Sequence, residues 1–335
     1  MGIDLPVLWF LIIGFALMMY VIMDGFDLGI GILFPFVRDR SDRDTMVNSV
    51  APVWDGNETW LVFGGAALLA VFPLAYAVIL SALYLPIVLM LGGLICRGVA
   101  FEFRFKADEA HRGIWDKAFA GGSYVATFCQ GVALGAFIDG FKVTDGNYSG
   151  GLIAWLRPFS LFTGLGLLIA YALLGVTWLV LKTEGPLQRR MRELGRPVTV
   201  ALLVVIAIVS VWTPYAHPSV AIRWFSFPDV LYFSPVPLLV LLATTGLMVS
   251  LRREHHATPF ALALLLVFLG YTGLLISLWP KILPPTISIW EAAAPPQSMG
   301  FALVGALFVI PFILVYTAWS YYVFRGKVKP GEGYH

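Results

Sequence analysis

Read from the N-terminus, the chain is a succession of long apolar runs separated by short polar breaks. A helix that crosses a bilayer needs roughly 20 consecutive apolar residues, since each residue adds about 1.5 Å against a hydrocarbon thickness of about 30 Å. On that ruler the pattern predicts nine spans, near 6–35, 57–75, 78–96, 118–139, 159–181, 198–216, 235–251, 259–279 and 300–324. The second and third share one charge-free run over 59–96, too long for a single crossing. The run is divided at Phe72-Pro73-Leu74, because proline disfavours the continuation of a helix. No linker or low-complexity stretch interrupts the series, so residues 1–335 read as a single transmembrane domain with no separate soluble domain.

Composition agrees with the pattern. A chain that is 59% hydrophobic and 13% charged, with a mean hydropathy of +0.84, is an all-α integral membrane protein rather than a soluble enzyme. The net charge of +2 gives no indication of nucleic-acid binding; the placement of the charges is informative. Taking the nine spans as drawn, 18 of the 22 lysines and arginines fall on one side and four on the other, with Arg325, Lys327 and Lys329 counted on the rich side. The positive-inside rule then puts the N-terminus outside and the C-terminus in the cytoplasm. Trp212, Trp224 and Tyr232 read as outer-belt aromatics. The opening Met-Gly-Ile-Asp-Leu-Pro lacks a basic n-region, and Pro6 stands where a myristoylation site wants Ser or Thr, so the first span is expected to be retained.

Ionisable groups at a membrane boundary are expensive to hold there and are functional candidates for that reason. Trp54-Asp55-Gly56-Asn57-Glu58-Thr59-Trp60 opens the second span. Asp24 and Asp27 lie in the first, Asp24 about 27 Å along the helix from Pro6, and their i,i+3 spacing puts both on one side. Arg97, Glu102 and Arg104 close the third. All of these groups are expected at one depth, toward the cytoplasmic face. Three readings fit. Asp55 and Glu58 could form a capping box between interfacial tryptophans, with the other charges paired to fix helix ends. Acids at graded depth could hand protons inward. The cluster could instead be the substrate or cation site of a proton-coupled secondary transporter, although such folds tend to show related halves and broken helices near mid-membrane.

The absences narrow the chemistry. His111, His217, His255, His256 and His335 all fall in loops or at the terminus, so no intramembrane imidazole is offered to a haem. Cys96 and Cys129 sit in apolar runs without a CxxC pattern and read as core residues. Methionines such as Met18, Met19, Met23 and Met90 read as packing. No Ser-His-Asp or Cys-His set, P-loop or HExxH motif is present, and no metal site is expected.

Three stretches carry a resemblance: Asp24-Gly25-Phe26-Asp27-Leu28-Gly29, then the run from Asn48 to Leu61, then Arg97-Gly98-Val99-Ala100-Phe101-Glu102-Phe103-Arg104. Together they resemble subunit II of the cytochrome bd family of quinol oxidases, most densely over residues 1–140. The compact length looks closer to the cyanide-insensitive branch. The resemblance implies two four-helix bundles plus one peripheral helix, in a bacterial cytoplasmic (inner) membrane. It implies a partner, subunit I, that carries two b-type haems and haem d, oxidises quinol near the outer face and reduces oxygen to water with cytoplasmic protons. It also admits a structural quinone in this chain and a small third subunit. By motif position, Asp55 corresponds to an acid at the cytoplasmic proton entrance and Trp60 to a tryptophan beside a lateral oxygen entrance. Asp24, Asp27 and Glu58 join Asp55 as proton-path candidates from their depth.

Overall fold

The computed structural model describes residues 3–328; Gly2, Lys329 and His335, which enter the expectations above, lie outside the described residues. Helix α1 (Leu5–Leu33) starts on Asp4, whose carboxylate accepts from the Val7 amide at 3.2 Å, with Pro6 in the first turn where its missing N–H is not needed. A single 3-10 turn, Phe34–Phe36, ends it. Short α2 (Arg40–Asn48) follows, capped by Asp39, which accepts from the Asp42 amide.

The long apolar run divides at the expected proline. Helix α3 (Trp54–Val71) stops at Phe72, and Pro73 opens α4 (Pro73–Ala82). The next crossing differs from expectation: α5 runs from Tyr84 to Lys106 rather than over 78–96. A second interruption at Leu83 separates α4 from it, and the helix then continues for three turns beyond the last apolar residue of the run. The same extension past the bilayer appears in α6 (Arg112–Asp139) and α8 (Gly185–Ala216). Hydropathy marks where lipid ends, whereas backbone hydrogen bonding persists wherever packing supports it. The remaining elements are α7 (Pro158–Lys182), short α9 (Pro218–Phe225) and α10 (Asp229–Phe233), α11 (Pro235–Arg252), α12 (Thr258–Leu278) and α13 (Pro296–Val323). Two small antiparallel hairpins lie in the loops: β1 (Val143–Thr144) with β2 (Asn147–Tyr148), and β3 (Lys281–Leu283) with β4 (Ile287–Ser288).

Among the described residues eight helices are long and apolar enough to cross a membrane; α3, with its polar first turn, is not one of them. At the centre α1, α6 and α7 pack against one another. Helix α5 lies on α6, α3 on α1 and α13 on α3, while α8, α11 and α12 gather around α7. The tightest approach is between α1 and α7: a Cβ placed on Gly29 would stand 1.9 Å from the Tyr171 carbonyl oxygen, and one on Gly175 would stand 2.5 Å from the Gly29 backbone. This contact brings the acid-bearing end of α1 into the core. Trp212 and Trp224 are half-buried rather than free belt residues. Trp212 packs on Phe159 and Phe162, and the Trp224 indole donates to Ser277 Oγ at 2.8 Å.

Candidate functional site

Helix periodicity places Tyr20, Asp24 and Asp27 on successive turns of one side of α1. Against that side α3 sets Asn57 and Glu58, α5 sets Arg97 and α13 sets Tyr321. The Arg97 guanidinium forms the centre: Nη1 donates to Asp24 Oδ1 at 2.6 Å and Nη2 donates to Glu58 Oε1. Asp24, Asp27 and Arg97 are fully buried, while the Glu58 side chain keeps 25% of its exposure. Asn57 Nδ2 donates to Asp27 Oδ2 at 2.7 Å and to the Met23 carbonyl at 3.3 Å. The Tyr321 hydroxyl donates to Asn57 Oδ1 at 2.9 Å. A second chain leaves the cluster deeper in the protein: Tyr171 donates to Gln130 Oε1 at 3.0 Å, and Gln130 Nε2 donates to Tyr20 Oη at 2.6 Å.

Three carboxylates thus gather near one guanidinium, which contacts two of them. Buried charges persist only when paired and hydrogen-bonded, and Arg97 meets that condition with two of them. Asp27 is held by an amide alone, and its Oδ1 has no hydrogen-bond partner among the described residues. The set therefore contains more acid than fixed cation.

Asp55 lies apart. It sits exposed in the first turn of α3, and its carboxylate makes no hydrogen bond to the buried group. The capping-box reading fails at this point: the N-cap is Val53 with no side-chain cap, and Glu58 turns to Arg97 instead of back to the backbone. Trp60 does not anchor at the interface either. It is fully buried among Ala16, Tyr20, Met23 and Ile313, edge-on to Phe15 with ring centroids 5.6 Å apart. Phe15 itself is exposed on the surface of the chain.

The trio Arg97, Glu102 and Arg104 does not act as one cluster. Arg104, two turns beyond Arg97, is buried in a separate group, donating to Asp44 at 2.6 Å and Asp116 at 2.7 Å; Arg43 reaches the same Asp116 at 2.9 Å. Both arginines lie over the Phe34 ring, at 4.9 and 5.4 Å. This group fastens α2 to α5 and α6. Glu102 points outward and pairs only with exposed Lys106. Sequence reading missed Tyr20, Asn57, Gln130, Tyr171 and Tyr321 as site members. Gln130, a polar amide in the middle of an apolar run, carried a usable signal; the tyrosines are ordinary in membrane helices and carried none.

The histidines before α6 (His111), after α8 (His217) and between α11 and α12 (His255, His256) stand outside the long helices. Among the described residues no three His, Cys, Asp or Glu side chains gather as metal ligands would.

Known proteins identify the frame around this cluster. The chain is 29% identical to the Escherichia coli (strain K12) protein named cytochrome bd-I ubiquinol oxidase subunit 2, over 96% of this chain and 94% of that one. It is 27% identical to the Bacillus subtilis (strain 168) cytochrome bd ubiquinol oxidase subunit 2, over 97% of each. Its fold matches a chain in the solved structure of the bd oxidase from Geobacillus thermodenitrificans with a TM-score of 0.78 at 16% identity, covering 96% and 99% of the two chains. Residues 5–324 match the family described as cytochrome bd terminal oxidase subunit II. The chain therefore belongs to that family, as a multi-pass subunit of a quinol oxidase of the bacterial cytoplasmic membrane.

Proposed function

We propose that the cluster around Arg97 receives cytoplasmic protons for oxygen reduction in the partner subunit. The observation that supports this is the graded exposure of its acids: Asp55 at the surface, Glu58 half-buried, and Asp24 and Asp27 fully buried. With more carboxylates than cations, the set has proton-binding capacity that Arg97 does not cancel. Oxygen reduction consumes protons. Drawing them from the cytoplasm, while quinol releases its own outside, separates charge across the membrane without a pump. We assign the haems to the partner subunit, as membership of the cytochrome bd subunit II family implies.

The finer architecture follows the same reading. Counting α3 with α4 as a crossing brings the total to nine, in a single transmembrane unit with the N-terminus outside and the C-terminus cytoplasmic. The basic ends of α5, α7, α8 and α11 then share the cytoplasmic face with the acid cluster. Trp60 borders the lateral oxygen route, with Phe15 between it and lipid.

The test uses the intact oxidase in proteoliposomes. Asp55→Asn, Glu58→Gln and Asp27→Asn are expected to slow quinol-driven oxygen consumption and proton uptake together, by about a hundredfold, the lower end of the range for a lost proton-transfer group, with the haem spectrum retained. Normal turnover with intact haems would remove that residue from the path. Trp60→Ala is expected to raise the oxygen concentration needed for half-maximal rate; an unchanged oxygen dependence would leave Trp60 as packing.

A further inference from the structure

Beside the acid cluster, on the face assigned to the cytoplasm, the chain forms a half-open cavity of about 280 Å³. Its wall is formed by the turn before α3 (Ser49, Val53), the end of α7 (Trp178, Lys182) and the end of α13 (Tyr321, Lys327). The volume is large enough for several waters, and Lys182, Lys327 and Tyr321 bring polar side chains to its wall. Lys182 donates to the Phe324 carbonyl at 2.7 Å, and Lys327 pairs with Glu184 at 3.3 Å. Tyr321 is common to the cavity and the cluster: it lines the cavity, and its hydroxyl donates to Asn57, which in turn donates to Asp27. The exposed Asp55, by contrast, makes no hydrogen bond to Asp27.

We propose that this cavity is the aqueous antechamber of Asp27, with Tyr321 and Asn57 as positioning residues that form the gate between them. The assignment rests on the reading of Asp27 as a proton-holding group and gives that group its own mouth, separate from Asp55. Both hydrogen bonds of the bridge point the same way, from Tyr321 to Asn57 and from Asn57 to Asp27. A carboxamide that donates at one end and accepts at the other fixes geometry and does not itself pass on a proton. It holds Asp27 Oδ2 as an acceptor and leaves Oδ1, which has no partner among the described residues, as the atom that takes the proton. Loading occurs when the Tyr321 hydroxyl turns from Asn57 to cavity water and lets the water file reach Oδ1. Hydronium and carboxylate become water and carboxylic acid, and the tyrosine hydroxyl keeps its own proton throughout.

The experiment is hydrogen–deuterium exchange of the Asp27 carboxylic acid, read by infrared difference spectroscopy on the intact oxidase moved into deuterated buffer. The band is assigned by its loss in Asp27→Asn. Tyr321→Phe closes the gate with an apolar ring edge, and Ser49→Phe fills the cavity; each is expected to slow exchange about tenfold with the haem spectrum unchanged. Tyr321→Ala opens the gate and is expected to speed it, an opposite sign that a general loss of stability in the two phenylalanine variants would not mimic. Glu102→Gln, at an exposed position outside the cluster, is expected to leave exchange unchanged. Exchange that ignores both phenylalanine substitutions, exchange slowed by Asp55→Asn instead, or the absence of any Asp27-dependent acid band would each overturn the antechamber. Turnover-linked proton uptake in Glu58→Gln tests the underlying path separately: exchange controlled by Tyr321 with normal uptake would keep the antechamber and discard the path.

Discussion

At the scale of single residues, Arg97 has the largest energetic consequence. Removing one partner from a buried ion pair leaves uncompensated charge and costs about 3–5 kcal/mol. Arg97→Leu strands Asp24 and Glu58 together, and the purified complex is expected to lose that much stability, seen as a lower unfolding temperature and poor recovery of assembled oxidase. Glu102→Gln, only five residues along α5, removes an exposed i,i+4 pair and is expected to change the same melting curve by less than about 0.5 kcal/mol. Asp24, Asp27, Glu58 and Arg97 were legible in the sequence because an ionisable residue inside or beside an apolar run has few cheap explanations. Their partners were not. Tyr321 is 264 residues from Asn57, and Tyr171 is 41 from Gln130; nothing in a single sequence links a neutral tyrosine on one helix to an amide on another. Asp55 was legible as an acid at the mouth of an apolar run and was expected at one depth with the others; its separation from the buried group emerges only once α3 is seen to begin at Trp54.

At the scale of elements, two contacts decide whether the site forms. The first is the backbone approach of α1 and α7 at Gly29. Gly29→Ala introduces a methyl group where a carbonyl oxygen stands 1.9 Å away, and a backbone cannot step aside as a flexible side chain does. The expected loss is about 3 kcal/mol, the upper part of the overpacking range, measured as a drop in melting temperature with release of haem-bearing partner. The second is the fastening of α2 by Arg104. Asp42 on α2 has its carboxyl pushed up by burial and by Asp39, a shift that Arg190 partly offsets. A carboxyl with a raised folded-state pKa opposes folding when ionised, so this handicap is present at neutral pH and is relieved as pH falls through the folded-state value. Asp42→Asn is therefore expected to be slightly more stable than the parent at neutral pH, with the two melting curves converging on acidification; divergence toward acid would reverse the sign. Helix existence and the break at Pro73 could be read from the pattern of apolar positions. The ends of α5, α6 and α8 could not, because helices anchored by ion pairs such as those of Arg104 run on into water.

At the scale of the whole molecule, orientation is open to a direct check. With Cys96 and Cys129 replaced, a cysteine at Asn147 in the β1–β2 hairpin is expected to react with an impermeant maleimide in intact cells. A cysteine at Glu109, between α5 and α6, is expected to react only after lysis. The reverse pattern would invert the topology and move the acid cluster to the outer face.

The link between Tyr321 and Asn57 also bears on how such a subunit is made. Most of the acid cluster comes from the first hundred residues, whereas the hydroxyl that closes it belongs to the last long helix, α13. A nascent chain that has inserted α1 through α12 holds Asp27, Asn57 and Arg97 in the membrane with no donor on Asn57 Oδ1. Completion of translation thus supplies the last hydrogen-bond donor of the buried cluster, and a chain stalled before α13 lacks it.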